Sequence, residues 1–376
     1  MNLHKIREDL HRIPELEFDV FKTRDYILQL FINEAKLEIK VLDFNALIMV
    51  YQQGGDEPFS LFRADMDALP IKEKTGCEYI STHPNNMHAC GHDIHMTVLV
   101  GLIDKVLQSN IKRNVIFVFQ PGEEGHGGAL KIIESKVLAD FEIAECYALH
   151  VAGQMPVGKV ACKSGIIFGI PQEFDVEFKG VSAHIANPEH GRDALLAGVQ
   201  FYSSMKQLIP QSINPIDPAV FQIGKAVAGV VRNSLADSCL FQGTHRTLTI
   251  KNRDIITNII RRVAVNTAKA HDLDVEVKIL ATFDPVVNDP ELYSKFKKVM
   301  DFLPYDFEEC DYTLTGEDFG YFTTYYKGLM FWLGSGDMEN NLHSSKFLPK
   351  SEAIEVGVNV MWSLLQSLDK LVPIPF

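Results

Sequence analysis

The sequence predicts an α/β fold that is interrupted by a second, smaller α+β domain. Short β-rich runs alternate with helical stretches in the first part of the chain, and residues 114–120 form an apolar run typical of a buried strand. Near Pro171 the pattern changes, because residues 173–179 alternate strictly, as in a strand with one solvated face. After Pro285 the first pattern resumes. The α/β domain is therefore predicted to be discontinuous in sequence.

Hydrophobic periodicity places the elements of the α/β domain along the chain. The first helix is amphipathic and stops at Pro14, because proline does not fit a helix interior. The other predicted elements are a helix at about 20–31, strands at 37–41, 46–51 and 59–63, a helix after His92, a strand at 114–120, a helix at about 128–135, a strand at 146–151 and, after the insertion, a strand at 329–333 and a helix at about 352–368. Strands that alternate with helices in this way are typical of an α/β domain.

The inserted part carries its elements in the order β-α-β-β-α-β, which is the ferredoxin-like pattern. These elements are a strand at 173–179, a helix at about 192–208, strands at 219–226 and 239–248, a helix at about 253–270 and a strand at 274–280. We therefore expect residues 1–167 to form the first part of the α/β domain, residues 168–280 the inserted domain, and residues 281–376 the second part.

The composition is that of a globular protein long enough for two domains, with 376 residues, 46% apolar and 23% charged. A formal net charge of −13 without a basic patch argues against nucleic acid as a partner. No apolar run reaches the roughly 18 residues that a membrane span needs, and the charged, amphipathic start does not resemble a signal peptide. The six cysteines are scattered without paired spacing, so we expect reduced thiols and a cytoplasmic location.

Residues 87–95 hold three histidines, a cysteine and an aspartate, and this cluster predicts a metal site. The Cys90-Gly91-His92 spacing lets a thiolate and an imidazole, both good ligands for divalent transition metals, project into one site at a tight turn. The stretch follows a turn signal and leads into a buried helix, so Cys90 and His92 are expected at a loop-to-helix junction. A structural cysteine beside incidental histidines explains any one of these residues, but explains the whole cluster poorly.

Further ligand-type residues follow the predicted core strands at the points where the strands end. These residues are Asp65, Asp67, Glu123, Glu124, His150 and His343. Because ligands of open α/β sheets gather at the carboxyl ends of the strands, these segments can converge on one crevice. Together with Cys90 and His92, the donors Glu124, His150 and His343 exceed the needs of one tetrahedral zinc ion. Two metal ions that share a bridging ligand are the more economical interpretation.

The adjacent residues Glu123 and Glu124 cannot both point the same way. One can bind metal while its neighbour acts as a general base towards a water molecule, which is what hydrolysis requires. For a lone pair of glutamates, a solvated turn is the simpler explanation. Asp65 and Asp67 are either strand-end caps or, for one of them, an acceptor that fixes the tautomer of a ligand imidazole.

The inserted domain offers three candidates for substrate binding. His184 lies in a Gly/Ser/Ala-containing loop at residues 180–184, where it is available to a substrate. Arg246 can recognise a carboxylate in a bidentate way, and Asn233 can donate to a polarised carbonyl. A surface histidine, a surface arginine and a turn asparagine explain the same three residues without any function.

Several motifs together resemble one enzyme family. They are His-Ala-Cys-Gly-His-Asp at 88–93, Arg-Ala-Asp-Met-Asp-Ala-Leu-Pro at 63–70, Pro-Gly-Glu-Glu-Gly at 121–125, the 180–184 stretch and Gly-Glu-Asp-Phe at 316–319. The chain is similar, over nearly its whole length, to the dinuclear-metal amidohydrolases of the aminoacylase and carboxypeptidase-G type, in the branch with a cysteine metal ligand. The resemblance implies a metal-binding α/β catalytic domain with an inserted lid domain, which commonly mediates dimerisation.

The resemblance also implies roles for individual residues. The implied metal ligands are Cys90, His92, Glu124, His150 and His343, and the implied general base is Glu123. Asp65 and Asp67 match the aspartate-bearing motif near the site, and His184 matches a lid histidine that meets the reacting carbonyl, often in the neighbouring subunit. We therefore expect a homodimer that uses two divalent ions to hydrolyse an N-acyl amino acid. Zinc, manganese, cobalt and nickel all suit such mixed donors.

Within this family, residues 11–16, 70–76 and 119–121 are similar to a subgroup that removes acetate from an N-acetylated diamino acid in lysine biosynthesis. Some neighbouring positions depart from that pattern, among them Gly122, His245 and Ser345. A broader N-acyl-amino-acid amidohydrolase or a small-peptide hydrolase is therefore the alternative within the same reaction class. A catalytically inactive metal-binding or ligand-binding protein is the alternative from another class.

Overall fold

The computed structural model describes residues 1–109 and 111–367. This part of the chain folds into two compact units. The first unit comprises Met1–Ile167, Val286–Tyr312 and the chain from Asp318 onwards, and the second comprises Phe168–Pro285 with the short segment Thr313–Glu317. The sequence did not indicate that this short segment belongs with the second unit. Leu368, the predicted end of the last helix, lies outside the described residues.

The elements of the described chain fall into helices and strands of ordinary length. The helices are α1 (Leu3–His11), α2 (Phe21–Phe31), α3 (His92–Gln108), α4 (Gly128–Glu134), α5 (Ala194–Ser212), α6 (Ile250–Ala270), α7 (Pro290–Phe302), α8 (Gly320–Tyr325) and α9 (Ala353–Ser367). The strands are β1 (Leu37–Val41), β2 (Leu47–Gln52), β3 (Phe59–Asp65), β4 (Asn114–Gln120), β5 (Ile143–Ala152), β6 (Lys159–Cys162), β7 (Gly165–Phe168), β8 (Ile170–Lys179), β9 (Ala219–Ala228), β10 (Ser238–Thr247), β11 (Asp274–Thr282), β12 (Val286–Asn288), β13 (Asp306–Glu309) and β14 (Lys327–Gly334). Among the described residues, we find no helix that combines the length and the apolarity needed to cross a bilayer.

The first unit is built on a mixed sheet whose centre is parallel. Strand β3 pairs in parallel with β4 on one side and with β5 on the other, and β5 pairs in parallel with β14. The antiparallel strands β2 and β1 extend the sheet beyond β4. Every residue of β3 and β4 is buried, which explains their continuous apolar sequence. The strand order β4-β3-β5 places a topological switch point at the carboxyl end of β3.

Helix α3 covers this sheet and is itself covered by α9. Two glycines allow the helices to approach closely, since a Cβ atom on Gly101 would lie 2.5 Å from Val358 and one on Gly357 would lie 2.8 Å from Val98. Thirteen of the seventeen residues of α3 are buried, including both histidines. The helix is therefore held on two sides, which fixes the position of its first residue, His92.

The second unit is a four-stranded antiparallel sheet in the order β11-β8-β10-β9, with α5 and α6 packed against it. Buried side chains alternate along β8, and Phe174, Val176 and Phe178 are fully buried. The predicted solvated face of this strand is therefore present. Helix α5 continues past Pro210 to Ser212, beyond the predicted end near residue 208. With both sheets in place, the predicted fold class, an α/β domain with a ferredoxin-like α+β domain, is confirmed.

The buried His245 of the second unit makes stability depend on pH. Its Nε2 lies 2.9 Å from Oε1 of Gln172, and its side chain is fully buried. Burial, and then the charges of Arg253 and Arg246, lower the pKa of His245 from 6.5 to about 4. The folded pKa is below the unfolded one, so the unfolded chain binds the proton first. The contribution of His245 to the free energy of unfolding is therefore complete above pH 6.5 and should be lost as the pH falls towards 4.

We expect His245→Gln to remove this dependence, which amounts to about 3 kcal/mol at most. The measurement is the free energy of unfolding by urea at neutral pH and near pH 4 for the wild type and the variant. His190→Gln is the matched control, because His190 is exposed in the same unit. An equal loss of stability in the wild type and in His245→Gln would show that His245 does not cause it.

Candidate metal centre

The turn that carries Cys90 and His92 depends on the glycine between them. Gly91 has a φ of 84°, a left-handed conformation that other residues rarely adopt. A Cβ atom on Gly91 would also lie 2.5 Å from Cγ2 of Val151 in β5. Glycine is therefore required, and the turn holds Cys90 and His92 over the carboxyl ends of β5 and β3.

Hydrogen bonds to backbone carbonyls set the tautomers of two histidines. Nδ1 of His92 lies 2.8 Å from the carbonyl oxygen of Asp67, and Nδ1 of His150 lies 2.9 Å from that of Val151. Because each Nδ1 donates its proton, each Nε2 presents a lone pair. Nε2 of His92 is buried and has no hydrogen-bond partner among the described residues, and Nε2 of His150 lies 3.4 Å from Sγ of Cys90. A buried unsatisfied nitrogen is costly, and a metal ion would satisfy it.

The other predicted donors surround the same point. Oε1 of Glu124 lies 4.0 Å from Nε2 of His92 and 3.5 Å from Nε2 of His343. Ligand atoms of Cys90, His92 and His150 lie within 4.8 Å of one another, and so do those of Cys90, Glu124 and His343. The five residues therefore form two groups that share Cys90. Their mixed sulfur, nitrogen and oxygen donors fit divalent transition metals.

His343 reaches this cluster from a strained backbone conformation. Its φ is 67°, which is uncommon for a residue other than glycine, and its backbone N–H donates to the carbonyl of Ala89 over 2.8 Å. Strained positions of this kind cluster at functional sites, where the surroundings hold them in place. The side chain is 53% exposed, unlike the other donors.

Glu123 lies beside the donors, with Oε2 4.0 Å from Nε2 of His92. The carboxylate of Asp67 accepts hydrogen bonds from the backbone N–H groups of Glu123 at 3.1 Å and of Glu124 at 3.0 Å. Asp67 therefore does not cap its own strand. Asp67 fixes the turn at residues 123–124. This turn directs Glu124 towards the other predicted ligands and holds Glu123 next to them.

We expect Asp67→Asn to weaken metal binding by about 10- to 100-fold, the usual cost of losing a group that supports a metal ligand. An amide has only one acceptor oxygen, so it cannot accept from both N–H groups in the same way. Competition with a chromophoric chelator measures the affinity, and Asp140→Asn, at an exposed position, is the control. Unchanged affinity in Asp67→Asn would contradict this role.

Asp65 is held at the end of β3 by two buried donors. Nη1 of Arg63 lies 2.7 Å from Oδ2 of Asp65, and Nδ1 of His95 lies 2.7 Å from Oδ1. Nε2 of His95 in turn accepts the backbone N–H of Val151 at 3.0 Å. Asp65 itself approaches Nε2 of His92 to 3.8 Å. The sequence pattern did not predict a role for His95, although its i, i+3 spacing from His92 on α3 places both on one face.

Asp318, in the Gly-Glu-Asp-Phe motif, contacts side chains near the carboxyl ends of β3 and β4. Its carboxylate lies 2.7 Å from Nη2 of Arg63 and 2.8 Å from Nε2 of Gln120, and it accepts the backbone N–H of Ala129 at 2.9 Å. All of these groups are buried. Asp318 therefore supports the ends of β3 and β4 through a polar network.

The cluster carries an excess of negative charge. Burial alone would lower the pKa of His92, but neighbouring carboxylates, Asp65 most of all, raise it to about 10. Burial raises the pKa of the Cys90 thiol well above its usual value, and nearby carboxylates, beginning with Glu124, raise it further. A divalent cation would relieve both effects, since it offsets the negative charge and stabilises the thiolate.

The three candidates in the second unit do not lie together. His184 is exposed and bridges to Ser234, and the carbonyl of Asn233 accepts the N–H of Ile185 at 3.2 Å. His184 and Asn233 are therefore neighbours. Arg246 lies near the opposite end of β10, eight residues beyond its start at Ser238. At about 3.3 Å per residue, Ser238 and Arg246 are roughly 26 Å apart along β10. Within one chain, Asn233 and Arg246 therefore lie towards opposite ends of β10, and their roles in substrate binding stay predictions.

A comparison with protein families matches residues 61–367 to Peptidase family M20/M25/M40. The chain belongs to this family. The expected family of metal amidohydrolases is thereby confirmed, as is the prediction of a hydrolase that acts on amide bonds.

Among curated relatives, an N-acetyldiaminopimelate deacetylase of Oceanobacillus iheyensis is 38% identical over 370 residues, which cover 98% of this chain and 99% of the relative. The protein of the same name from Listeria monocytogenes serotype 4a is 36% identical and covers 96% and 98%. Among solved structures, a Bacillus subtilis dinuclear metal binding peptidase from the M20 family matches with a TM-score of 0.84, 27% identity and coverage of 98% of both chains. A Staphylococcus aureus tripeptidase shares the fold, with a TM-score of 0.75, 15% identity and coverage of 97% of both chains.

Proposed function

We propose that this protein is a metal-dependent amidohydrolase that removes acetate from N-acetyl-LL-diaminopimelate, in the acetylase branch of lysine biosynthesis. The observation that carries the reaction type is Glu123, held by Asp67 beside a cluster of five metal donors. The substrate assignment is supported by relatives that carry the name N-acetyldiaminopimelate deacetylase and align over nearly the full length.

Two divalent ions would be held by Cys90, His92, Glu124, His150 and His343. Cys90 belongs to both groups of ligand atoms, so its thiolate could serve either ion. When bound, such ions supply Lewis-acid chemistry, which acidifies a water molecule and polarises a carbonyl group. Zinc, manganese, cobalt and nickel are the candidates for this donor set.

Glu123 performs the proton transfers in this proposal. Its carboxylate takes a proton from the attacking water as the oxygen bonds to the acetyl carbon. The same carboxyl group then gives the proton to the leaving amine nitrogen as the C–N bond breaks. This releases the amine and acetic acid, which loses its own proton to become acetate. His184 donates a hydrogen bond to the carbonyl oxygen as negative charge develops there. Asn233 and Arg246 bind the polar ends of the substrate, and Arg246 can hold a carboxylate in a bidentate way.

The separation of these residues supports a homodimer. Asn233 and His184 lie at one end of the second sheet and Arg246 near the other, so one substrate can contact all three only if a neighbouring subunit contributes some of them. The second unit also offers a surface for self-association. β9 is an edge strand with 53% of Val227 exposed, and the apolar Leu196 and Val199 of α5 are 54% and 55% exposed.

Replacing Leu196 and Val199 together by glutamate is expected to give a monomer with much lower activity and unchanged metal content. Buried charges would oppose association, while the donors of the first unit would stay intact. Light scattering after size-exclusion chromatography measures the mass, and Val41→Glu, at an exposed apolar residue of the first unit, is the control. A fully active monomer would contradict the shared site.

A substrate panel with defined metals tests the proposed function. Acetate release from N-acetyl-LL-diaminopimelate should exceed, in kcat/KM, the hydrolysis of N-acetyl-methionine, hippurate and dipeptides. Comparable rates across the panel would favour a broader aminoacylase or peptidase. Tight binding without turnover would favour an inactive binding protein. The six unpaired cysteines agree with a cytoplasmic location, which we include in the proposal.

A further inference from the structure

A second group of ligand-type side chains lies in the first unit, apart from the five donors described above. His11 ends α1, and Glu73 and Cys77 lie in the segment between β3 and α3. Nε2 of His11 lies 3.2 Å from Oε1 of Glu73, and Sγ of Cys77 lies 3.6 Å from the same oxygen. All three ligand atoms are within 4.8 Å of one another.

The spacing of these atoms matches the edges of a coordination tetrahedron. Zinc binds imidazole nitrogen and carboxylate oxygen at about 2.0–2.2 Å and thiolate sulfur at about 2.3 Å, which sets neighbouring ligand atoms about 3.3–3.6 Å apart. The two distances measured from Glu73 lie close to this interval. A small movement of the Cys77 side chain would complete a three-ligand site with the fourth position left for water.

Supporting hydrogen bonds already orient two of the three ligands. Nδ1 of His11 lies 2.9 Å from Oδ2 of Asp93, so Nδ1 donates to the carboxylate and Nε2 faces Glu73 and Cys77. A carboxylate behind a histidine is the usual support of a metal ligand. Glu73 is held by the N–H of Ser81 at 2.7 Å and by the hydroxyl of Thr75.

Charge and access also suit a cation. Nε of Arg7 lies 3.0 Å from Oδ2 of Asp93, so the positive charge of Arg7 offsets the negative charge of Asp93. Glu73 and the thiolate of Cys77 would then supply two negative charges to a divalent ion. His11 is fully buried and Glu73 is 8% exposed, whereas Cys77 is partly exposed to solvent.

We propose that His11, Glu73 and Cys77 bind a zinc ion or a similarly thiophilic divalent cation, separate from the metal centre of the proposed reaction. Such an ion would tie the end of α1 to the segment that carries Glu73 and Cys77. Its role would be structural, because no atom of this group belongs to the donor cluster around Cys90.

The test compares the wild type with Cys77→Ser and with Cys310→Ser, whose cysteine is the other partly exposed one. Each protein is dialysed against Zn²⁺ under reducing conditions, and bound zinc per chain is measured by elemental analysis. We expect Cys77→Ser to hold one ion fewer than the wild type and Cys310→Ser to hold the same number. With Co²⁺ as the probe, Cys77→Ser should lose part of the thiolate charge-transfer absorption, while the remainder arises from Cys90.

Glu73→Gln provides a second variant that should lose the same ion. Equal zinc content in the wild type and Cys77→Ser would overturn the proposal, as would an equal loss in Cys310→Ser. The result is independent of the proposed deacetylase function. Cys77→Ser should retain turnover even without the ion. The amount of zinc bound per chain can be measured and compared whether or not any acetylated substrate is cleaved.

Discussion

Glu123→Gln is expected to lower kcat for deacetylation by about 10³-fold while the protein keeps its metal ions. Glutamine has nearly the same size as glutamate, but it cannot take a proton from water, and a positioned general base contributes typically about 10²- to 10⁴-fold. The donors around Cys90 are untouched by this change, and the backbone N–H of residue 123 can still donate to Asp67. Steady-state acetate release measures the activity, and elemental analysis measures bound metal.

Glu134→Gln is the matched control for this variant, because Glu134 is exposed on the neighbouring helix α4. It should keep full activity. Full turnover in Glu123→Gln with normal metal content would rule out Glu123 as the base. Low turnover accompanied by metal loss would instead assign Glu123 to the ligands.

Removal of metal with a chelator is expected to abolish turnover, and addition of a divalent transition metal is expected to restore it. Apart from the exposed His343, the ligand atoms form a largely buried anionic group, in which Nε2 of His92 has no hydrogen-bond partner among the described residues. Without a cation, this site cannot acidify water near neutral pH. The measurement is acetate release before chelation, after dialysis and after titration with zinc, manganese, cobalt or nickel.

Two controls make the chelation experiment specific. Circular dichroism should show that the metal-depleted protein stays folded, so that lost activity is not unfolding. Cys77→Ser should respond to the chelator as the wild type does, since Cys77 lies outside the donor cluster. Turnover that persists after complete metal removal would contradict the mechanism.

Much of the architecture was predictable from local patterns. Side chains alternate between the two faces of a strand. The continuous apolar runs of β3 and β4 therefore indicate burial on both faces, and the strict alternation in β8 indicates burial on one face. The short strands β6, β7, β12 and β13 went unpredicted, since three or four residues carry too little periodicity to be recognised. Helix α5 passes Pro210 because only two residues of the helix follow it, so few backbone hydrogen bonds are affected.

The candidate site was predictable where its residues follow strand ends. Glu124, His150 and His343 were gathered from the sequence because parallel strands bring their carboxyl ends to one edge, and Cys90 and His92 because they cluster within residues 87–95. Their roles as ligands stay predictions, as does that of Glu123. The supporting contacts of Asp67 and His95 were not predictable, because they depend on which backbone groups face each side chain after folding.

The fold class, the family and the kind of chemistry could be read from the amino-acid sequence, because each depends on periodicity and on motifs that are local in the chain. Which side chains lie next to one another became known from the folded structure. Asn233 and Arg246 are separated by nearly the length of β10, and His11 meets Glu73 and Cys77 across more than sixty residues of sequence. Such distances are set by sheet order and helix packing, which no local pattern encodes.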